Sequence, residues 1–346
     1  LQISSFQLLS GQKKLEPLKG GDMGKLFHVL EAQQFSKEWL ENEFFPLSLE
    51  MEKLVKTGEP ELLSKYSLSG KRMVRLFWEP STGTGFSFDI GMHRLGGAVF
   101  ASDHAGDTAM IKGEALEDMI RRIAAFGPDV MVLRTPKEGM AKLAAEYSSV
   151  PIINAGDGWG QHPTQAGTDL FTVKKEKGGI EGLHYVIAGD LRGRTPRSLA
   201  YLVAKFPGIR ITFVAPVGDQ IGDDVKEYLN RHEVPFKEII DIMDAAPEGD
   251  VFYITRIQKE REKLLRSVER HGLVEAHSPK ANWKADQGLL RAIKKDAIIM
   301  HPLPHEDEIA PELDPKVCKD RRVAYLRQSE NKLYVAMAFL YYAIKK

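Results

Sequence analysis

The strongest constraint on this chain is an alternation. From residue 72 onward, short apolar runs of strand length take turns with amphipathic runs of helix length. "RMVRLFWEP", "GGAVFAS", "DVMVLRTP" and "VPIINAG" read as strands. Between and after them lie the helical runs "GEALEDMIRRIAAF", stopped by Gly127-Pro128, then "EGMAKLAAEY" and "HPTQAGTDLFTVKKEKG". A second set starts near residue 183, with strands "LHYVIAGDL", "IRITFVAP", "DVFYITRI" and "DAIIMHPLPH". Its helices are "TPRSLAYLVAKF", "DDVKEYLNRH" and "KEREKLLRSVERHG"; Thr195 is the expected cap of the first, with Pro196 in its opening turn. Such alternation implies parallel sheets covered on both faces. Two sets imply an α/β fold of two doubly wound parallel-sheet domains joined by interdomain helices, with the join near residues 155–185. Residues 1–22 read as a loosely attached arm, 23–65 as helix broken or kinked at Pro46, and "NKLYVAMAFLYYAIKK" as a final apolar helix.

The chain has 346 residues, enough for two real cores. Lys+Arg and Asp+Glu number 48 each, so net charge is zero, which argues against a nucleic-acid partner held by bulk charge. No apolar run of about 18 residues is present, so no membrane span is expected. The N-terminal stretch lacks the pattern of a signal peptide. One cysteine, Cys318, excludes an intrachain disulfide and fits a reducing, cytoplasmic setting. There is no Cys cluster, HExxH, acidic calcium loop or G-x-S-x-G, so neither a metal, a cofactor nor a serine nucleophile is expected.

Ligands of open α/β sheets bind beyond the carboxyl ends of strands. The unusual polar clusters fall there. In "EPSTGTG", Ser81, Thr82 and Thr84 supply hydroxyls, Gly83 and Gly85 permit close backbone approach, and the following helix offers free N–H groups. Together they suit an anion such as phosphate; a plain helix cap with a flexible turn is the alternative. Arg134, Arg194 and Arg256 each follow a strand, and Gln258 lies near the last. Singly each reads as a surface charge; jointly they favour an anionic ligand in an interdomain cleft. His162 and Gln165 share a helical turn, read either as a cap or as part of that cleft. His301 opens the stiff "HPLP" loop.

Taken in order, "FWEPST-T-FSF---MHRLGG", "KGE-LEDMI", "VLR-P-EG", "VPIINAGDG--QHPTQ---DLFT", "GDL--GRT--SL", "Y-TR-QKER" and "HPLP--DEIAPELD" resemble the aspartate/ornithine carbamoyltransferase family across nearly the whole chain. "QHPTQ" with "TRIQKER" favours its aspartate branch. The resemblance implies transfer of a carbamoyl group from carbamoyl phosphate to the amino group of L-aspartate, a step of pyrimidine biosynthesis, with no cofactor, metal or covalent intermediate. It implies a carbamoyl-phosphate domain over 1–160, with helix 329–346 packing back on it, and an aspartate domain over 161–328. Ser81, Thr82, Gly83, Thr84 and Gly85 would hold phosphate. Thr84, Arg134 and His162 would polarise the carbamoyl oxygen, and Gln165 would hold the carbamoyl amine. Arg194, Arg256, Gln258 and the backbone of Leu303 and Pro304 would bind aspartate. Thr108 and the catalytic Lys112 would enter from a neighbouring subunit, implying a homotrimer with shared sites and leaving room for a regulatory or active partner chain.

One departure bears on chemistry. The family loop reads Ser-Thr-Arg-Thr-Arg; here it is Ser-Thr-Gly-Thr-Gly. Losing a preorganised donor typically lowers rate by about 10²–10³. The sequence therefore predicts a weakened transferase unless another cation takes over, Arg192, His104 and Lys112 being the ones it suggests. A catalytically dead structural or regulatory homologue, or a transferase with another donor or acceptor, are the alternatives. Gly167-Thr168 in place of a leucine pair, Thr135 in place of a histidine, and His305 in place of an arginine are further departures.

Overall fold

The structure, a computed structural model, describes residues 28–103, 113–216, 218–256, 282–304 and 315–345. It opens differently from the helix expected over 23–65. Val29 is extended and buried, and forms a parallel bridge with Ile153. Its N–H donates to the Ile152 carbonyl at 2.8 Å. After a 3₁₀ turn over Ala32–Gln34, α-helix begins at α1 (Lys37–Trp39), where the Ser36 side chain accepts from the Trp39 N–H. A π turn over Leu40–Phe44 leads directly into α2 (Phe45–Thr57). Pro46 lies in the first turn of α2, so its missing N–H falls where the hydrogen-bond register changes. The helix runs through this position without breaking. Gly58, at φ 65°, closes α2 in the left-handed conformation, and α3 (Pro60–Lys65) follows.

The first sheet contains β1 (Arg72–Phe77), β2 (Ala98–Ser102), β3 (Val130–Thr135) and β4 (Ile152–Asp157). They pair in the order β2-β1-β3-β4, all parallel. The connecting helices are α4 (Thr82–Arg94), α5 (Leu116–Ala125) and α6 (Met140–Tyr147), and α7 (Pro163–Lys177) leads out of β4. The second sheet contains β5 (His184–Ala188), β6 (Arg210–Val214), β7 (Phe236–Ile239), β8 (Val251–Ile254) and β9 (Ile298–Met300), again all parallel, in the order β7-β6-β5-β8-β9. Its described helices are α8 (Arg194–Val203), α9 (Asp223–Arg231) and α10 (Gln287–Ala292); α11 (Pro315–Cys318) and α12 (Tyr325–Lys345) complete the chain as described. The helical run expected over "KEREKLLRSVERHG" lies outside the described residues.

The winding reverses between β1 and β3 in one sheet and between β5 and β8 in the other. At such switch points adjacent loops diverge and leave a crevice at the carboxyl ends. Phe77, Arg134, Ala188 and Ile254 all sit at or beside those ends. The polar clusters singled out from the sequence are therefore placed by topology.

Two local expectations change. Strand β7 was not foreseen: "FKEI" is a half-buried edge strand without an apolar run. Thr195 does not cap α8. Gly193 occupies the N-cap in an extended conformation and Arg194 is the first helical residue, so the helix backbone fixes Arg194.

The core gathers on α12, which lies against α2, α4 and α7. Its Tyr334, Val335, Met337, Phe339 and Leu340 are buried among the residues of those helices. Gly167 on α7 is explained by this packing. A Cβ there would lie 3.1 Å from the Phe44 ring and 3.2 Å from the Phe339 ring. Gly167→Leu is expected to destabilise the fold by about 1–3 kcal/mol through overpacking, seen as a lower midpoint in urea unfolding.

Candidate active site

The Ser-Thr-Gly-Thr-Gly stretch is not a loop. Ser81 takes the N-cap conformation (φ −160°, ψ 100°), and Thr82 to Gly85 form the first turn of α4. The Ser81 hydroxyl makes no capping hydrogen bond. The N-terminal N–H groups of α4 therefore point out of the helix beside exposed Thr82 and Gly83. Thr84 is buried against the protein. Neither glycine has a positive φ, so backbone conformation does not demand glycine at 83 or 85.

Each glycine instead borders a cation from elsewhere. A Cβ at Gly85 would stand 3.4 Å from Arg75 Nη1. Arg75, on β1, pairs with Asp89 at 2.8 Å and with Asp103, and its guanidinium lies 4.8 Å over the Phe77 ring. Two carboxylates neutralise it, so it supports the α4 start rather than serving an anion. A Cβ at Gly83 would stand 3.9 Å from the Lys332 Nζ of α12. That ammonium donates to the Pro302 carbonyl at 3.0 Å. A narrow pocket is lined by Thr84, Ser87, His162, Gln165 and Lys332 together with apolar groups of α4 and α12.

Two arginines meet across the crevice. Arg134 is the penultimate residue of β3, and Arg194 opens α8 on the other sheet. Glu79 lies between them: its Oε2 is 2.8 Å from Arg194 Nη1 and 3.7 Å from Arg134 Nε. Arg194 also donates to the Gly158 carbonyl at 3.0 Å, and Arg134 to the Ala155 carbonyl at 3.2 Å. Gly156, at φ 114°, gives them room, since a Cβ there would lie 2.9 Å from the Arg194 guanidinium carbon. Glu79 was missed from sequence; its signal was an acidic residue between a strand end and a helix start read as an anion site.

His162 caps α7 and lines the pocket. It is the N-cap of α7, and its Nδ1 accepts from the Gln165 N–H at 3.3 Å. An accepting Nδ1 leaves the ring proton on Nε2. Burial, reinforced by the positive charges of Arg194, Arg134 and Lys332, pushes the imidazole well below its usual range. His162 is thus a neutral donor near neutral pH.

Gln165 is aimed by a buried carboxylate. Its Nε2 donates to Asp169 Oδ1 at 2.6 Å, as does Gln328 Nε2 from α12 at 2.6 Å. A carboxylate accepts only, so both amides must present their N–H groups to it, and Gln165 keeps its carbonyl oxygen for other donors. Gln328 Oε1 in turn accepts from the His301 N–H at 2.8 Å, and His301 Nδ1 from the Leu303 N–H at 2.9 Å. One chain of hydrogen bonds thereby ties α7 to α12 and to the "HPLP" loop, whose Leu303-Pro304 peptide is cis. Burial raises the Asp169 carboxyl from 3.8 to about 6.

Arg256 lies just past β8 at the same carboxyl ends, and Leu303 and Pro304 just past β9. Arg192, proposed as a substitute cation, is committed elsewhere: it pairs with Asp219 at 2.8 Å and lies 6.0 Å over the Trp159 ring. Thr108, Lys112, His104, Gln258 and His305 lie outside the described residues. Among the described residues no three His, Cys, Asp or Glu side chains are grouped to hold a metal.

Comparison with known proteins agrees with this layout. Residues 28–175 match the family described as "Aspartate/ornithine carbamoyltransferase, carbamoyl-P binding domain", and residues 181–343 its "Asp/Orn binding domain". The chain is 43% identical over 319 residues to the chloroplastic aspartate carbamoyltransferase of Oryza sativa subsp. japonica, covering 91% of this chain and 84% of that protein. It is 38% identical over 318 residues to the aspartate carbamoyltransferase catalytic subunit of Clostridium kluyveri, covering 90% and 96%. Among solved structures, aspartate transcarbamoylase from Trypanosoma cruzi in complex with carbamoyl phosphate and aspartate superposes with a TM-score of 0.81 at 33% identity, covering 92% and 97%. The catalytic subunit of the M. jannaschii enzyme gives 0.78 at 38% identity, covering 92% and 98%.

Asp169 predicts a pH dependence. Its folded pKa lies above the unfolded value, so between about pH 4 and about pH 6 the folded state binds more protons than the unfolded state. Its contribution to stability therefore falls as pH rises through that window. Unfolding free energies measured at pH 4.5 and pH 7 should show a smaller loss on raising pH in Asp169→Asn than in the wild type.

Proposed function

The chain belongs to the aspartate/ornithine carbamoyltransferase family, and from that premise we propose that it transfers the carbamoyl group of carbamoyl phosphate to the amino group of L-aspartate, releasing phosphate. The observation that carries this reading is that neutral His162 and oriented Gln165 line one pocket with Thr84 of α4, beside its open start, with Arg134 close enough to act on the His162 imidazole.

The chemistry follows from those groups. The amine attacks the carbamoyl carbon, a C–N bond forms, and the carbon–oxygen bond to phosphate breaks. Charge grows on the carbamoyl oxygen as the amine adds. Arg134 and the Nε2–H of His162 are suited to stabilise it, with the Thr84 hydroxyl beside them. A neutral imidazole does this without itself titrating near neutral pH. The free carbonyl of Gln165 accepts from the carbamoyl NH₂, which fixes the plane of the group. Phosphate leaves toward the N–H groups of α4. Arg194 and Arg256 supply positive charge for the carboxylates of aspartate. Glu79 holds Arg194 in place in the free protein, and the incoming carboxylate competes for the same guanidinium.

We propose that the sites are shared in a homotrimer, Thr108 and Lys112 reaching a neighbouring subunit's crevice. Supporting this, Phe86 and Ile90 on α4 and Phe100 on the edge strand β2 are exposed apolar side chains on the first sheet and its helix. The single cysteine fits a reducing compartment, whether the cytoplasm read from sequence or a chloroplast like that of the Oryza sativa relative.

Purified protein should form carbamoyl-aspartate and phosphate from the two substrates. His162→Ala should lower kcat by about 10²–10³. Absence of product from wild-type protein, with the fold intact, would remove this reading. Shared sites make a second expectation. Arg134→Ala and Lys112→Ala chains, each nearly inactive alone, should regain activity when unfolded together and refolded as mixed oligomers.

A further inference from the structure

We propose that Lys332, on the C-terminal helix, supplies the phosphate-side positive charge of the site and binds the phosphoryl group of carbamoyl phosphate. This rests on the carbamoyltransferase reading above and deepens it by naming the cation at its donor end.

Three observations carry the inference. First, Lys332 Nζ lies 3.9 Å from where a Cβ at Gly83 would stand, so the ammonium occupies the space over the first turn of α4. A side chain growing from position 83 and Lys332 would compete for one volume. Second, Lys332 lines the same pocket as Thr84, His162 and Gln165, the groups that face the carbamoyl moiety. Third, its direct partner is a neutral acceptor, the Pro302 carbonyl at 3.0 Å, which takes one of three N–H donors. Arg75, the cation behind Gly85, contrasts on this last point, since Asp89 and Asp103 both neutralise it.

The surroundings of Lys332 fit a waiting anion site. Asp169 and His162 on α7 and Arg134 on β3 are the titratable and charged groups that act on it or are acted on by it; the pocket-lining residues of α4, Thr84, Ser87 and Phe88, bear no charge. Burial and the nearby Arg134 lower the ammonium to about 8, with Asp169 opposing them. A bound phosphoryl dianion would satisfy the remaining N–H donors and restore the proton. Position matters as well: Lys332 follows Gln328 by one helical turn, so the helix that buttresses Gln165 through Asp169 also carries the cation.

The test is a reciprocal exchange read in kcat/KM for carbamoyl phosphate and in binding of inorganic phosphate. Lys332→Met should lower kcat/KM by about 10²–10³ while leaving aspartate binding within a fewfold. Adding Gly83→Arg to Lys332→Met should recover at least tenfold, because the guanidinium then has the vacated volume. Gly83→Arg alone should bring no such gain. Free-enzyme kcat/KM should fall above about pH 8, and Lys332→Arg should move that limb upward. A structural lysine would show neither the rescue nor the shifted limb. Active wild-type protein whose Lys332→Met variant keeps its kcat/KM for carbamoyl phosphate would overturn the proposal and leave the transferase reading standing. A Lys332→Met loss that Gly83→Arg cannot restore, with an unmoved pH limb in Lys332→Arg, would also overturn it. Inactive wild-type protein that still binds phosphate through Lys332 would sink the transferase reading instead.

Discussion

The site depends on one buried carboxylate. Asp169 lies within α7, away from solvent, and accepts from an amide of its own helix and an amide of α12. Burying an ionisable group is unfavourable unless it is hydrogen-bonded, and both amide bonds fall on Oδ1, so the arrangement persists only while both glutamines point inward. That requirement orients Gln165, docks α12 and, through Gln328, pins the backbone of His301. The donor and acceptor ends of the crevice thereby share one polar foundation in an otherwise apolar core.

Much of this was legible beforehand. Alternating strand and helix runs sufficed for two parallel sheets, and strand-end placement pointed to Arg134, Arg194 and Arg256 because crevices form where winding reverses. His162 was readable both as a cap and as a site residue; it caps α7 and lines the pocket. Three features resisted. Asp169 acts by joining elements distant in sequence, so no local pattern marks it, and Glu79 shows locally only as an acid between a strand end and a helix start, its arginine partners lying far along the chain. Strand β7 is half-exposed and lacks an apolar run. The helical start at Ser81 was hidden by glycines, which lower helix propensity by about 1 kcal/mol each yet adopt helical angles here.

Those glycines also change meaning. Read along the chain, they are two missing guanidiniums. In three dimensions they are two pieces of space, one filled by a neutralised Arg75 and one bordered by Lys332. The positions are therefore not equivalent. An arginine at 85 meets an existing guanidinium, whereas position 83 faces a pocket where a charge is already close. Sequence comparison at one motif counts charges by residue; the site feels them by distance.

A lysine differs from an arginine in reactivity as well as reach. A guanidinium stays protonated and does not act as a nucleophile, whereas a desolvated amine brought to about 8 is in part uncharged at neutral pH. A bound phosphoryl group restores the proton, so only the deprotonated minority of such amines is an acceptor beside an activated acyl donor. If it took the carbamoyl group in place of aspartate, a neutral urea would replace the ammonium and phosphate would leave. The donor would then act as a slow suicide reagent, setting a finite number of turnovers on each site whose cradle is charged in this way.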